Sequence, residues 1–299
     1  MDYIQKKKEF MEALDWGAFH RADEGIKSYH YTSLEGMKSI LNSNTVYATE
    51  YHFLNDEEEL RYIDKIANKV FADFFGHTTK GKLLNQYVKE HLKRLRNEMN
   101  HPENSYYVVC FSKKKDNLTL WSEFARFGCN FQCNPYAIFT ENAIYGSVVY
   151  DLRGQRELIL KILDIVFKHF ELSACLNDKK ATCAEIANLD EMQLNIMAEC
   201  IAELVIYYGT LVKRELYEAE QEFRVVIKGK GQDIKYRLKE NMFIPYIEVP
   251  IEEDIWIGKT LTLAPLNHKE RCKSSVKLYL DSLGYKNINV KYSEIRLQY

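Results

Sequence analysis

Several familiar signatures are missing from this 299-residue chain, and each absence removes a class of function. No glycine-rich phosphate loop occurs, which counts against P-loop and Rossmann nucleotide chemistry. No apolar run reaches the roughly 20 residues that a membrane helix needs, because Lys, Arg, Asp or Glu interrupts every candidate, so no membrane span is expected. No secretory pattern precedes the cysteines. These are Cys110, Cys129, Cys133, Cys175, Cys183, Cys200 and Cys272, odd in number and scattered, so buried thiols in a reducing, cytoplasmic setting are expected. Cys129 and Cys133 lie close together, but no Cys-x-x-Cys pair or histidine completes a zinc set, and no metal is expected. The formal charge of −2 lacks the excess that pulls a protein onto phosphate backbones, although Lys113-Lys114-Lys115 forms a local basic run. There is neither an internal repeat nor a low-complexity linker, so residues 1–299 are read as one elaborated domain.

What is present is a globular composition rich in rings. Aromatic residues make up 13% of the chain, led by 21 Tyr, which supplies faces for packing and for ligand stacking. Residues 1–24 are expected to hold an N-terminal helix, with Phe10, Met11, Leu14 and Phe19 as a partial apolar stripe. A β-prone piece at Tyr29–Thr32 leads through Ser33 into a helix bearing Met37, Ile40 and Leu41, and Thr45–Thr49 reads as a second strand. Two charged helices follow over 57–75 and 82–99. Tyr106–Ser112, free of charge, is expected to be a central buried strand, and Leu118–Arg126 a short helix. Strands are expected at 136–139 and 147–150, then a helical insertion over 151–215 with Leu194, Met197, Ile201, Leu204 and Val205 facing the core. Near the end, 222–227 and 243–249 read as strands able to pair as a long-looped hairpin, followed by a β-like piece at 255–258, a helix over 269–283 and a closing strand near Ile295. The fold class is therefore α+β with a mixed sheet.

Four polar groupings stand at strand ends or turns: His30 with Thr32, the run Asn55-Asp56-Glu57-Glu58, Ser112 with Trp121, and Glu220-Gln221-Glu222. Each has a bland alternative. A lone strand histidine is commonly structural, a serine after a buried strand is usually a cap, an acidic run usually starts a solvated helix, and a lone Trp is usually core. The last group says more, because alternate residues of a strand share a face and Glu220 and Glu222 would project together. Arg224, on that same face, offers the alternative of an exposed salt-bridged ladder.

Taken in order, Tyr29-His30-Tyr31-Thr32-Ser33, Ile40-Leu41, Asn55-Asp56 with Glu58, Cys110-Phe111-Ser112, Asn117 to Trp121 and Glu220-Gln221-Glu222-Phe223-Arg224 resemble the bacterial family catalogued as domain of unknown function 2971. Ile257-Gly258, Gly284-Tyr285, Val290 and Ser293 follow that family's closing pattern, and the helical middle between Tyr150 and Glu215 departs from it. The family in turn resembles the ADP-ribosyltransferase fold, in which a split sheet brings a His-x-Thr strand, a Ser-ended strand and a Glu strand around NAD. That resemblance implies an ADP-ribosyltransferase or NAD glycohydrolase, with NAD as substrate and a protein, a nucleic acid or water as acceptor. A setting in bacterial toxicity or phage defence is also implied. Within it His30 and Thr32 sit on the dinucleotide-binding strand, with His30 on a ribose hydroxyl. Tyr31 or Trp121 encloses the nicotinamide, Ser112 supports the catalytic carboxylate, Glu222 is that carboxylate, and Glu220 orients the acceptor. Two rival classes remain: a nucleotide- or nucleic-acid-binding module without turnover, and a nuclease or phosphotransferase using Asp56, Glu58 and Glu222.

Overall fold

The computed structural model describes residues 3–13, 27–56, 58–138, 143–172, 178–239, 241–252, 257–267 and 270–296. Of the expectations above, those on Leu14, Phe19, Glu57, Phe139, Cys175, 255–256 and Lys269 lie outside these residues. The chain divides into two compact units: one from 1–16, 54–105 and 149–215, the other from 17–53, 106–148 and 216–299.

The first unit is helical. It holds α1 (Tyr3–Ala13), α3 (Glu59–Phe75), α4 (Thr79–Glu98), α6 (Leu152–His169), α7 (Lys179–Ala187) and α8 (Glu191–Gly209). Helix α8 is the centre: α4, α6, α3 and α1 all pack on it. It is apolar almost all round, as a helix enclosed by others must be, and it starts at a capping box in which Asp190 and Gln193 bond each other's backbone amides. Helix α7 is not among the expected elements; its short sequence has no apolar stripe to announce it.

The second unit is built on a mainly antiparallel ten-stranded sheet. Its strands are β1 (Ser28–Thr32), β2 (Thr45–Glu50), β3 (Tyr106–Ser112), β4 (Cys129–Cys133), β5 (Ile144–Ser147), β6 (Glu222–Lys228), β7 (Ile234–Lys239), β8 (Met242–Pro250), β9 (Ile257–Leu263) and β10 (Asn289–Tyr292). The path runs β10, β9, β4, β1, β3, β2, β8, β7, with β6 and then β5 joined to β3. Among the described strands only β9 and β10 run parallel, so the sheet is mixed in the weakest sense. Helices α2 (Leu34–Ser43) and α9 (Glu270–Ser282) place Met37, Ile40, Leu41, Val276 and Leu280 in one core with Val109, Phe111, Phe131, Phe223 and Val225. A third helix, α5 (Leu118–Phe124), carries Trp121 into a separate small cluster with Ala125 and Ala264.

Strand β3 organises this sheet. All seven of its residues pair with β6, which fills one edge. The other edge is shared: β1 meets it at Tyr29 opposite Ser112, and β2 meets it at Thr49 opposite Val108 and Glu50 opposite Tyr107. Between those contacts β1 and β2 part, opposite Val109, Cys110 and Phe111. The charge-free sequence of β3 accounts for its place, since a strand flanked on both edges and packed on its face tolerates no ionised side chain.

Three expectations about strands are corrected. The proposed hairpin of 222–227 with 243–249 does not form; β6 pairs β3 and β5, whereas β8 pairs β7 and β2. The piece at 136–139 is a 3-10 turn over Pro135–Ala137, because Pro135 fixes its own φ and the Asn134 side chain accepts the Tyr136 amide; only Ile138 forms a bridge, to Ile251. Strand β5 ends at Ser147, and Val149 is bridged instead to Val212 in the helical unit.

Candidate functional site

The three motif strands lie side by side as β1, β3 and β6, and their backbones form one lateral row: Tyr29 opposite Ser112, and Ser112 opposite Glu222. With strands about 4.8 Å apart, residues distant in sequence come within about 10 Å across three strands. The row sits where β1 leaves β3, at the mouth of the split.

Glu222, the first residue of β6, is buried, and its Oε2 receives Arg224 Nε at 2.6 Å. The expected ladder on one strand face is therefore real in geometry but interior, with both side chains nearly sealed from solvent. Glu220 departs from expectation. It closes a 3-10 segment, Glu215–Glu220, and Gln221 between the two glutamates adopts a left-handed conformation at φ 46°. Strand alternation is broken there, so it does not align the two carboxylates. Three bonds hold Gln221 in this strained position: its amide and its side-chain nitrogen both donate to the Glu218 carbonyl, and its own carbonyl accepts the Lys113 amide at 2.9 Å. Ser112 is beside Glu222 in register, but its hydroxyl donates to the Glu220 carbonyl at 2.6 Å and accepts from the Lys114 amide. It thus fixes the backbone on either side of the site.

His30 belongs to the opposite alternation. It pairs with Phe131 across β4, and its ring lies 5.6 and 5.7 Å from those of Phe131 and Phe111, on the side that carries the helix-covered core. Its Nδ1 lies 3.1 Å from the carbonyl oxygen of Cys110 in β3. Burial pushes the imidazole down to about 4, the Cys110 carbonyl opposing only in part, so near neutral pH the ring is uncharged. A neutral ring that donates from Nδ1 has Nε2 as an acceptor. Thr32 shares His30's alternation and is tightly enclosed. A Cβ at Gly36 would stand 2.2 Å from its hydroxyl, and one at Gly128 would stand 2.0 Å from its carbonyl oxygen. Gly128 demands glycine because backbone approaches it so closely, whereas at Gly36 the near atom is the tip of the Thr32 side chain.

Tyr31 and Trp121 meet edge to face at 4.7 Å on the side of the sheet shared with Ser112 and Glu222. Tyr31 donates its hydroxyl to the Lys114 carbonyl, and burial raises its pKa. Trp121 is buried, with its indole nitrogen 2.6 Å from Asp116. The structure thus gathers Tyr31, Ser112, Trp121 and Glu222 on one side of the sheet, and His30 and Thr32 on the other, all six around the split.

Asp116 and Asn130, which the sequence does not single out, hold the connection from β3 to α5 together with Asn117. Asp116 collects the Trp121 indole, the Ser293 hydroxyl and the Glu294 amide. Asn117 caps α5 and also donates to the Ala219 carbonyl, and buried Asn130 donates to the Lys115 carbonyl at 2.5 Å. A buried asparagine between core residues in Cys129-Asn130-Phe131 was the available sign.

The acidic group of the helical unit has its own partners. Asp56 takes a two-pronged contact from Arg214 at 2.7 and 3.1 Å, Glu58 lies 3.7 Å from the same guanidinium, and Lys213 reaches Asn55 at 2.9 Å. Cys129 and Cys133 fall on one strand face but about 13 Å apart at 3.3 Å per residue, too far to share an ion. Among the described residues no group of three or more His, Cys, Asp or Glu has metal-binding geometry, and no helix is long and apolar enough to cross a membrane. Comparison of the chain with protein-family models, with characterised proteins and with solved structures gives no match.

Proposed function

We propose that this protein cleaves the nicotinamide glycosidic bond of NAD, in the manner of an ADP-ribosyltransferase-like enzyme, with Glu222 as the key carboxylate. The observation that carries the reading is the row from β1 through Ser112 to Glu222 at the split, because it puts the His-x-Thr, Ser-ended and Glu strands next to one another. In the reaction the C–N bond breaks with its electron pair leaving on nicotinamide, and positive charge grows on the ribose. A carboxylate accepting the 2'-hydroxyl stabilises that charge most in the transition state. Arg224 keeps the carboxylate oriented, and Ser112 fixes the turn from which Glu222 starts. Glu220 is the second carboxylate, assigned to orient water or another acceptor for attack on the ribose carbon.

The test is incubation of the purified chain with NAD, with nicotinamide release followed by chromatography. Release is expected, and Glu222→Gln lowers it by about 10²- to 10³-fold, the usual loss when one transition-state contact is removed. Turnover equal in the two proteins overturns the proposal.

One observation favours a second reading, a binding module without turnover: His30 and Glu222 belong to opposite strand alternations. It predicts saturable NAD binding that His30→Ala weakens, with no nicotinamide formed at any enzyme concentration.

A further inference from the structure

The segment that follows Ser112 exposes rings and cations together. Lys113, Lys114 and Lys115 come directly after the serine, and Arg126 follows α5. Between and beside them Phe124 is 43% and Phe127 60% exposed, and the Arg126 guanidinium lies 5.6 Å from the Phe127 ring. The two exposed phenylalanines stand within a stretch whose net charge is positive. Residues 113–128 hold four basic residues against Asp116 and Glu123, in a chain whose formal charge is −2. Asp116 is already committed to Trp121, Ser293 and Glu294, and Lys115 lies 3.7 Å from Glu294.

The segment is also held firmly. The Lys113 amide bonds the Gln221 carbonyl, the Lys114 amide bonds Ser112, and the Lys114 and Lys115 carbonyls accept from Tyr31 and Asn130. Its backbone is thus spent on fixing the loop; Lys115 lies beside Glu294 and Arg126 over Phe127, and the Lys113 and Lys114 side chains and the two rings are offered to a ligand. Helix α5 of seven residues spans about 10 Å, so the lysine end and the phenylalanine end stand roughly two nucleotides apart.

We propose that this surface docks single-stranded nucleic acid, with the cations on phosphates and Phe124 and Phe127 stacking on bases, and that the strand so held is the acceptor presented to Glu222. Rings with π-faces suit unpaired bases, and interleaved cations suit the regular charge of the backbone. The site is continuous with the row at the split, since Lys113 bonds the residue just before Glu222. The assignment of the strand as acceptor rests on the NAD reading above; the docking itself does not.

The experiment measures binding of the full chain, without NAD, to fluorescein-labelled 12-nucleotide RNA and DNA of mixed sequence, read by anisotropy over a salt series. Binding is expected with a log–log salt slope of about −2 to −3, for three or four neutralised phosphates. Phe127→Ala and Phe124→Ala each weaken it by at least about fivefold, the lower bound for one stacked base. Lys113→Glu with Lys114→Glu abolishes it, and Lys89→Glu with Lys93→Glu on the exposed side of α4 leaves it unchanged. Loss of binding in the α4 variant equal to that in the loop variant, or binding only to anionic vesicles or acidic peptide run in parallel, overturns the proposal. NAD turnover is followed in the same samples. Turnover without nucleic-acid binding removes this inference alone, and binding without turnover removes the enzymatic reading alone.

Discussion

The helical unit and the sheet unit both bury charge, and they do it differently. In the helical unit Asp56 is sealed, but its partner Arg214 keeps 30% of its side chain in solvent and has Glu58 as a second carboxylate nearby. In the sheet unit both members of the Glu222–Arg224 pair are interior, at 7% and 1% side-chain exposure. The first arrangement can fall back on water. The second cannot, and a protein that keeps such a pair bears a desolvation cost that a pair of apolar side chains would avoid. The same contrast separates an ion pair that fastens a chain crossing from one that stands in a candidate site.

Removing one partner from each pair tests this and has the largest expected effect on stability. Arg224→Met leaves the Glu222 carboxylate buried beside an apolar side chain and is expected to cost about 3–5 kcal/mol. The double variant Glu222→Gln, Arg224→Met recovers most of that loss while remaining inactive on NAD. Arg214→Met costs about 1–3 kcal/mol, because Asp56 still accepts the Glu58 amide and the site can admit water. Urea midpoints at fixed pH measure both. Equal losses from the two Arg variants would dissolve the distinction between the units.

A pH series comes next in size and isolates the sheet unit. The folded imidazole of His30 titrates near 4 because of burial, whereas an unfolded histidine titrates near about 6.5. Between those values the unfolded chain binds more protons. Stability from this group is therefore complete above about pH 6.5 and is lost as pH falls towards 4, by roughly 3 kcal/mol at most. His30→Gln is expected to flatten stability in that window relative to the parent. An unchanged slope there would mean that other groups carry the acid sensitivity.

How much of this was readable in advance depends on whether the determinant is local. The charge-free run Tyr106–Ser112 and the period of Leu194, Met197, Ile201 and Leu204 identify β3 and α8, since burial on both sides and burial of a helix leave marks in adjacent residues. Strand β4 escaped because Cys129–Cys133 is five residues long and its two cysteines drew attention as possible ligands. Strand β7 escaped because its alternation places Lys235, Arg237 and Lys239 among apolar residues on an edge. The turn at Pro135 is signalled by Asn134-Pro135, against the strand expected at 136–139. For the candidate site, the motif residues and the ordering of their strands were readable, but lateral pairing is not local, and no glycine marks the left-handed Gln221 that separates Glu220 from Glu222. The same chain position that defeats the alternation argument lies at the start of the key strand.

The smallest effect compares one helix cap from each unit. Asp190 starts α8 in a reciprocal box with Gln193, at 2.8 and 2.9 Å, and Ser33 starts α2 by accepting the Gly36 amide at 2.9 Å. Either cap replaced by alanine is expected to cost about 1 kcal/mol, as the lost bond to one otherwise unpaired amide dictates. The contexts differ, however. Helix α8 is anchored by packing along nearly its whole length, so Asp190→Ala should frays its first turn and nothing more. Ser33 follows directly on Thr32, against whose carbonyl Gly128 packs too closely to admit a further atom, so freedom gained at this cap passes straight into β1 and the split. Hydrogen exchange of the β1 amides in Ser33→Ala, set against those of α8 in Asp190→Ala, reads the difference. Faster exchange through Tyr31 and His30 is expected in the first variant, and exchange confined to the first turn of α2 would show that the split holds its geometry without help from the helix that follows it.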